Sequence, residues 1–275
     1  MNSLFRKVVH LFKRHPLLYT IRYVLLSKNN KEKDIDAVGC FNDNNKIDTV
    51  PQLYFETNKK INLNPANDEF EKAIIIGTYL RNIAIVAPGI GRSSQKTLET
   101  MLAGKGGVCS DFAQIFNTFC LINNIKVKEW GSVDHLINTK FGHSFNEIYS
   151  TKHQKWIAID IHKSIIFEDL KNHNYFSVMD LFTDLRKGNA LKAHHFSDYV
   201  SRLPERIPLV YSKETIPFLI AHKDNAVVDR YYDQFQDSMP LALINLLLIV
   251  MRKSPTFIFV LDNYKIKLLP NIFKR

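Results

Sequence analysis

The chain has 275 residues, of which 45% are hydrophobic and 23% charged, and its formal net charge at pH 7 is +10. These values are typical of a globular protein with a packed core, and they exclude a wholly disordered, collagen-like or disulfide-built chain. The three cysteines, Cys40, Cys109 and Cys120, are irregularly spaced and form no CxxC pair. Their odd number argues against a disulfide framework and a structural zinc site, and it fits a reducing compartment.

The positive charge raises the question of an anionic partner. Nucleic acid is disfavoured, because the sequence has no zinc-finger pattern, no RNP-type aromatic motif and no long Lys/Arg block. Residues 1–28 carry much of the excess and contain no acid. Their basic residues are Arg6, Lys7, Lys13, Arg14, Arg22 and Lys28. Charge in this position favours contact with an anionic membrane surface.

The N-terminal segment has apolar residues at helical spacing with basic residues between them. The apolar positions are Leu4, Val8, Leu11 and Phe12. We expect His15 and Pro16 to interrupt this helix before residues 17–26 resume it. The pattern suits an interfacial amphipathic helix and a packing helix with a solvated basic face equally well. Residues 29–45, rich in Asn, Asp and Lys, are predicted to form a loop or mobile linker.

The sequence lacks features that would send the chain into or across a membrane. Its N-terminal basic residues are scattered, and no apolar stretch there leads to a small-residue cleavage site. The apolar run 239–251 is shorter than the ~20 residues that span a bilayer, so a buried helix or strand is expected. We therefore predict a cytoplasmic protein with peripheral contact at the inner face of the membrane through residues 1–28.

Two helices are predicted before the second cysteine. The first begins near residues 67–68, which are plausible caps, and buries Phe70, Ala73, Ile74 and Leu80. Residues 87–89 then break the chain. A short helix follows over residues 95–103, with Gly104 at the position of a C-terminal glycine stop.

A third helix is predicted to open within residues 106–111 and to continue with a one-sided apolar stripe. The stripe consists of Phe112, Ile115, Phe116, Phe119 and Cys120. Cys109 therefore falls at the helix N-terminus, where free N–H groups and the helix dipole favour a thiolate. Cys120 falls on the buried face, where a thiol is a packing residue.

Strands are predicted over residues 125–130, 142–149 and 155–160, with clear alternation in the last two. A turn centred between residues 151 and 152, of two or four residues, pairs positions whose numbers sum to 303. That register sets His143 directly opposite Asp160, with Cβ atoms about 4.5–5.5 Å apart. The carboxylate can then accept from one imidazole nitrogen while the other meets the thiol of Cys109.

The runs GGVCSDFAQIF, GHSFNEIY and KWIAIDIH resemble the core of the transglutaminase-like superfamily. The resemblance covers residues 70–162 and points to an uncharacterised bacterial subfamily. In that superfamily, which includes transglutaminases, peptide N-glycanases and bacterial cysteine proteases, the nucleophilic Cys begins a helix, His begins one strand and Asp ends the next. The resemblance implies an α+β, papain-like fold with the Cys helix packed on an antiparallel sheet, and a triad of Cys109, His143 and Asp160.

Carried over to these positions, the resemblance implies a cysteine-dependent acyl-transfer enzyme that attacks amide or ester carbonyls through a thioester. Water would resolve the thioester in a protease or amidase, and an amine in a transglutaminase; the sequence leaves both open. The substrate would be a peptide, a protein or another amide-bearing compound. The N–H of Cys109 would supply one oxyanion donor, with Gln95 the nearby side-chain candidate. Asp111 is expected to cap the helix.

No cofactor or metal is expected. The sequence contains no HExxH motif, and His162, His194 and His195 lack carboxylate or thiolate neighbours at ligand spacing. Residues 104–107 lack the spacing of a phosphate-binding loop.

We predict three regions. Residues 1–66 form a basic, helical N-terminal extension, residues 67–166 the catalytic core, and residues 167–275 a mixed C-terminal extension packed on the core. The alternative function is a catalytically silent scaffold of an envelope or polysaccharide assembly system that retains the fold. The intact triad favours the enzyme.

Overall fold

The computed structural model describes residues 16–85, 89–133, 142–169, 172, 174–198 and 207–267, with side chains from residue 21 onward. The predicted amphipathic stretch within residues 1–15 lies outside these ranges, as do residues 87 and 88 of the predicted chain break.

The described residues form eleven α-helices and nine β-strands, with short 3-10 turns at Glu32–Asp34, Asp36–Val38 and Ile47–Thr49. The helices are α1 (Pro16–Leu26), α2 (Phe41–Asn44), α3 (Gln52–Asn58), α4 (Glu69–Ile83), α5 (Ser94–Leu102), α6 (Cys109–Ile122), α7 (Val178–Arg186), α8 (Ile207–Val210), α9 (Asn225–Phe235), α10 (Leu241–Val250) and α11 (Tyr264–Lys267). The strands are β1 (Ser27–Asn29), β2 (Val127–Val133), β3 (His143–Ser150), β4 (Lys155–Asp160), β5 (Ile165–Asp169), β6 (Asn174–Tyr175), β7 (Ala193–His195), β8 (Ile216–Ala221) and β9 (Thr256–Phe259).

All nine strands of the described ranges join one sheet, in the order β1-β9-β8-β2-β3-β4-β5-β6, with β7 paired to β5. Every pairing is antiparallel except that of β1 with β9. The α+β prediction is therefore confirmed. The sheet also draws together distant parts of the chain, because β1 comes from the N-terminal segment while β8 and β9 come from the C-terminal third.

Helix α6 packs on one face of this sheet. Its fully buried Phe112, Phe116 and Phe119 share a core with Val127 of β2 and Ile148 of β3. Alternate residues of the same strands face the other side and join a second core with α7. That second core contains Trp130, Phe145, Ala158, Phe167, Phe182 and Tyr211. The predicted packing of the cysteine helix on an antiparallel sheet is thus confirmed.

The β3–β4 hairpin differs from the predicted register. Ser150 pairs with Lys155 and Asn146 with Ile159, so paired residue numbers sum to 305 instead of 303. Ser150 remains in the strand, its Oγ accepting the N–H of His153, and the turn occupies residues 151–154. A shift of two residues keeps each side chain on its predicted face. It does, however, move His143 and Asp160 from directly opposed to diagonal positions.

The prediction of a loop or mobile linker over residues 29–45 is wrong in its second half. This segment contains two 3-10 turns and helix α2, and Cys40 and Phe41 are buried. The Asn42 side chain accepts the N–H of Val127 at 3.0 Å and donates to the carbonyl of Ile125 at 3.0 Å. These two bonds attach the segment to the start of β2, which explains its order despite its polar composition.

The apolar run 239–251 forms helix α10, as one of the two predicted alternatives, but the helix is buried on one face only. Ile244 and Leu248 are buried, whereas Leu243 and Leu246 are exposed. Within the described ranges, none of the helices has both the length and the apolar character needed to cross a membrane.

Candidate active site

Cys109 is the first residue of helix α6 and is partly exposed to solvent. The start of the helix is fixed by Asp111, whose Oδ2 accepts the N–H of Val108 at 2.9 Å and that of Ile90 at 3.1 Å. Asp111 therefore caps the helix, as expected, and also holds the segment before α5 against it. Burial is the largest influence on this carboxyl and raises its pKa.

His143 opens strand β3 and Asp160 closes strand β4, at neighbouring strand ends. The His143 Nε2 and Asp160 Oδ2 atoms are 2.6 Å apart, and both side chains are buried. The two side chains bridge a diagonal pair of positions, which lie further apart than directly opposed residues. Because Nε2 contacts Asp160, Nδ1 is the ring nitrogen left for the thiol of Cys109, with which His143 also forms a hydrogen bond.

The electrostatics of the Cys109–His143 pair favour its charged form. Burial opposes ionisation of Cys109 most strongly, but the His143 charge, the His143 hydrogen bond and the N–H of Ser144 together lower the pKa of the thiol. Burial likewise opposes the charge on His143. The carboxylate of Asp160 and the Cys109 sulfur overcome it and raise the His143 pKa to about 10. Both shifts favour a thiolate–imidazolium pair.

Asp160 is fully buried yet held as a carboxylate. Burial raises the pKa of this group, but the charge and hydrogen bond of His143 outweigh it, so the pKa falls to about 2. Further donors surround the carboxylate. The N–H of Lys163 donates to Oδ1 at 2.9 Å and the Tyr211 hydroxyl donates to Oδ2 at 2.8 Å. A carboxylate with several donors stays ionised and fixed in orientation.

Tyr211 is a site residue that the sequence analysis missed. It follows helix α8 directly, is 1% exposed, and packs edge-on against Phe145 and Phe167. Its hydroxyl reaches the same Asp160 oxygen that contacts His143. The only sequence signal was a tyrosine next to a short apolar run, which does not distinguish a site residue from an ordinary core aromatic.

A buried polar network ties the cysteine helix to the histidine strand. The Asn146 amide of β3 donates to the carbonyl of Ala113, one turn beyond Cys109, at 3.2 Å, and to Asn117 Oδ1 at 2.7 Å. Asn117 in turn donates to Glu129 of β2 at 2.8 Å. Because buried polar groups need partners, these bonds specify how α6 sits on the sheet. They therefore set the distance between Cys109 and the strand that carries His143.

His162 lies close to His143 and Asp160, although no sequence pattern predicted a role for it. Its ring centroid is 5.8 Å from that of His143 and 5.6 Å from that of Phe112. Burial is the main reason that its pKa falls to about 3, with the positive charge of His143 second. His162 is therefore neutral beside a charged imidazolium.

One group in the described part of the chain has the composition of a metal site, namely His143, Asp160 and His162, whose ligand atoms lie within 4.8 Å of one another. His162 was predicted to lack a carboxylate neighbour at ligand spacing, whereas in the fold it lies beside Asp160. The 2.6 Å contact between His143 and Asp160 leaves no room for an ion between those two atoms, because zinc sits about 2 Å from each ligand. The geometry fits a direct hydrogen bond.

Of the oxyanion donors considered from sequence, Gln95 is exposed and donates to Glu99 of its own helix at 3.0 Å. It is thus engaged outside the cluster formed by Cys109, His143 and Asp160.

Comparison with known proteins places this geometry in context. A family model described as the transglutaminase-like superfamily matches residues 56–161. No curated protein matches the chain. Among solved structures, the chain is similar to the crystal structure of a proposed cysteine protease from Cytophaga hutchinsonii. The two share 19% identity, with a TM-score of 0.33, over 49% of this chain and 43% of the other. The aligned part thus spans less than half the length of that protein.

The family match begins before α4 and ends one residue after Asp160, so it contains the cysteine helix and both strands of the hairpin. Residues 56–161 therefore match the transglutaminase-like superfamily.

Proposed function

We propose that the protein is a cysteine-dependent acyl-transfer enzyme in which Cys109 is the nucleophile, His143 the proton carrier and Asp160 the residue that orients the imidazole. The observation that carries this proposal is the pair of contacts made by His143. One ring nitrogen is 2.6 Å from a buried carboxylate, and the other serves a thiol whose pKa it lowers. Nucleophile, base and orienting group therefore stand in the order that covalent catalysis requires.

The proposed reaction begins with the Cys109 thiolate. Its sulfur attacks the carbonyl carbon of an amide or ester, and the carbonyl π electrons move onto oxygen to give a tetrahedral anion. When this anion collapses, the bond to the leaving nitrogen or oxygen breaks, and the His143 imidazolium supplies the proton that the leaving group needs. The product is a thioester on Cys109 and a neutral imidazole.

The second half of the reaction regenerates the enzyme. The oxygen of a water molecule attacks the thioester carbon while neutral His143 accepts a proton from that water. The carbon–sulfur bond then breaks to give a carboxylic acid and the original ion pair. Cys109 is partly exposed, so water can reach the thioester and hydrolysis is the outcome that we propose. The substrate class is a peptide, protein or other amide-bearing compound, and an amine acceptor would make the same thioester a transglutaminase intermediate.

The reactivity of the three thiols in one molecule tests the proposal. The protein is treated with iodoacetamide from pH 5 to pH 10, and alkylation of each cysteine is quantified by peptide mass spectrometry. We expect Cys109 to react well below the pH at which an ordinary thiol reacts, with buried Cys40 and Cys120 as internal controls. His143→Ala should move the Cys109 profile to higher pH. A profile centred at about 8.5 that His143→Ala leaves unchanged would overturn the ion pair.

Acyl transfer itself is tested with an activated ester. Incubation with a p-nitrophenyl ester should add one acyl group to Cys109, and hydroxylamine should remove it, as expected of a thioester. The matched control is Cys109→Ala, which retains Cys40 and Cys120. Acylation of that variant at the same rate would show that Cys109 is not the nucleophile. Adding a primary amine then measures how much thioester is resolved by transfer instead of hydrolysis.

A further inference from the structure

Helix α10 presents an apolar face to solvent. Its sequence, LALINLLLIV, contains no charged residue. Ile244 and Leu248 are buried against α9, but Leu243, Leu246 and Val250 are 49%, 41% and 68% exposed. These three residues recur at helical spacing and therefore form one stripe. A surface helix normally carries charged or polar residues on that side, so the stripe is unusual.

Helix α1 has the same character. Tyr23 and Leu26 pack on β8 and β9, whereas Ile21, Val24 and Leu25 are exposed. The exposed residues again share one side of the helix, at i, i+3 and i+4. The two helices are neighbours in the fold, since α1 contacts α10 directly. Their outer faces together provide an exposed apolar surface that comes from opposite ends of the chain.

The charges within the two helices and the residues that flank them in sequence have one sign. Residues 16–31 and 238–261, which contain both helices, include no aspartate or glutamate. Their basic residues include Lys28, Arg252 and Lys253, all exposed and all directly following the apolar stripes. The nearest acids along the chain are exposed Glu32, Asp237, which lies 3.8 Å from Arg92, and Asp262, which pairs with Arg186.

Two neighbouring segments extend the pattern. Helix α11, which contacts β1, exposes Ile266 between Lys265 and Lys267. The residues before α1 in the chain add Arg6, Lys7, Lys13 and Arg14 without an acid. An apolar centre with basic surroundings is the arrangement by which peripheral proteins bind anionic lipid, because apolar side chains enter the acyl boundary while cations meet the headgroups.

We propose that the outer faces of α1 and α10 form a docking surface for an anionic lipid bilayer. The prediction from sequence attached membrane contact to residues 1–28 alone. The structure adds the C-terminal helix α10 and its Arg252–Lys253 pair as the second half of the surface. Leu241, at the start of α10, lies against Gly91, which follows the Ile90 whose N–H donates to Asp111 of the cysteine helix.

Sedimentation with vesicles tests this proposal on the full chain. Vesicles of phosphatidylcholine alone are compared with vesicles that contain phosphatidylglycerol as well. We expect binding to the anionic vesicles, with an affinity for neutral vesicles lower by about tenfold or more. Leu246→Glu with Val250→Glu should reduce binding to anionic vesicles by at least about tenfold, because two apolar side chains that would enter the bilayer are lost. Arg252→Gln with Lys253→Gln should reduce it by about tenfold.

Matched controls separate the docking surface from general changes in charge and hydrophobicity. Ile47→Glu removes an apolar side chain that is 51% exposed elsewhere, and Lys59→Gln with Lys60→Gln removes two exposed cations. Neither should change binding more than twofold, and thermal unfolding of each variant shows that it is folded. Equal binding to neutral and anionic vesicles, or unchanged binding of the α10 variants, would overturn the proposal. Dimerisation through this face would also overturn it. In that case the unmodified protein would not bind vesicles, and light scattering would give the α10 variants half the mass of the unmodified protein.

Discussion

Helix α6 carries a thiol towards each end, and the surroundings shift the pKa values of the two thiols in opposite directions. Cys109, at the N-terminus, is partly exposed and has its pKa lowered by His143 and the N–H of Ser144 against the opposing effect of burial. Cys120, about three turns later, is fully buried, and burial alone raises its pKa well above the ordinary value. The difference lies in the partners. Burial opposes ionisation of both thiols, and only Cys109 has a cation and an N–H donor that lower its pKa.

The largest expected effect comes from exchanging the two thiols for alanine in turn. Cys109→Ala should lower acyl-ester turnover by about 10⁴-fold or more, because no other group can form the thioester. Cys120→Ala should retain turnover per folded molecule. Turnover is measured with the activated ester, and circular dichroism reports folding. A Cys120→Ala variant that is folded but inactive would mean that the two ends of the helix are not independent.

The second prediction concerns the negative charge of Asp160, which contacts His143. Asp160→Asn preserves shape but loses the carboxylate that raises the His143 pKa to about 10, so turnover should fall by about 10³–10⁴-fold. The pKa of His143, followed by NMR of the imidazole, should drop towards its ordinary value. Exposed Asp198 provides the control, since Asp198→Asn should change neither quantity.

Serine substitution tests the opposite end of the helix through stability. Cys120→Ser places a hydroxyl in a core of Phe116, Phe119 and neighbouring apolar residues, and it should lower the free energy of unfolding by about 2 kcal/mol. Urea denaturation measures this loss. The same change at partly exposed Cys109 should have a smaller effect on unfolding, although it removes the thiol chemistry. Equal losses at the two positions would contradict the assigned environments.

Tyr211 connects the C-terminal third of the chain to Asp160. Tyr211→Phe deletes the hydroxyl that donates to Asp160 at 2.8 Å, and turnover should fall by about tenfold. Because this bond favours the ionised carboxylate, its loss should raise the Asp160 pKa from about 2 and move the acid limb of the pH–rate profile upward. Tyr54→Phe, which loses a buried hydrogen bond to Ser94, should lower stability without moving that limb.

The smallest effect concerns acid sensitivity. Burial lowers the His162 pKa to about 3. Between pH 6.5 and pH 3, His162 is therefore protonated in the unfolded state and neutral in the folded state. Stability due to this neutral ring is therefore present above pH 6.5 and is lost as the pH falls through that window. His162→Phe should flatten the pH dependence of the urea midpoint between pH 7 and pH 4.5. His222→Asn, at an exposed position, should leave it unchanged.

The part of the site that could be predicted from sequence depends on local patterns. Cys109 was recognisable because an apolar stripe begins directly after it, and His143 and Asp160 because alternation fixes the face of each strand. Their register was wrong by two residues, since Ser150 pairs with Lys155 in the strand instead of opening the turn. The face survived this error because strand geometry repeats every two residues.

The rest depends on contacts between distant parts of the chain. Tyr211 reaches Asp160 across 51 positions, and no periodicity links them. The polar composition of residues 29–45 suggested mobility, yet Asn42 attaches that segment to β2 through bonds to Ile125 and Val127. The short apolar run that forms α10 was compatible with either a helix or a strand. Which of its residues are exposed depends on the neighbouring elements, which the sequence pattern does not specify.

The pairing of β1 with β9 limits how far the protein can fold while it is being synthesised on the ribosome. Ser27 lies opposite Phe257, so strand β1 cannot pair until every element between it and β9 has been synthesised. Tyr211, which steadies Asp160, also arrives late. A nascent chain that already displays Cys109, His143 and Asp160 therefore lacks both the sheet edge and the hydroxyl that complete their setting. We expect the proposed activity to appear only after β9 has been synthesised and has paired with β1.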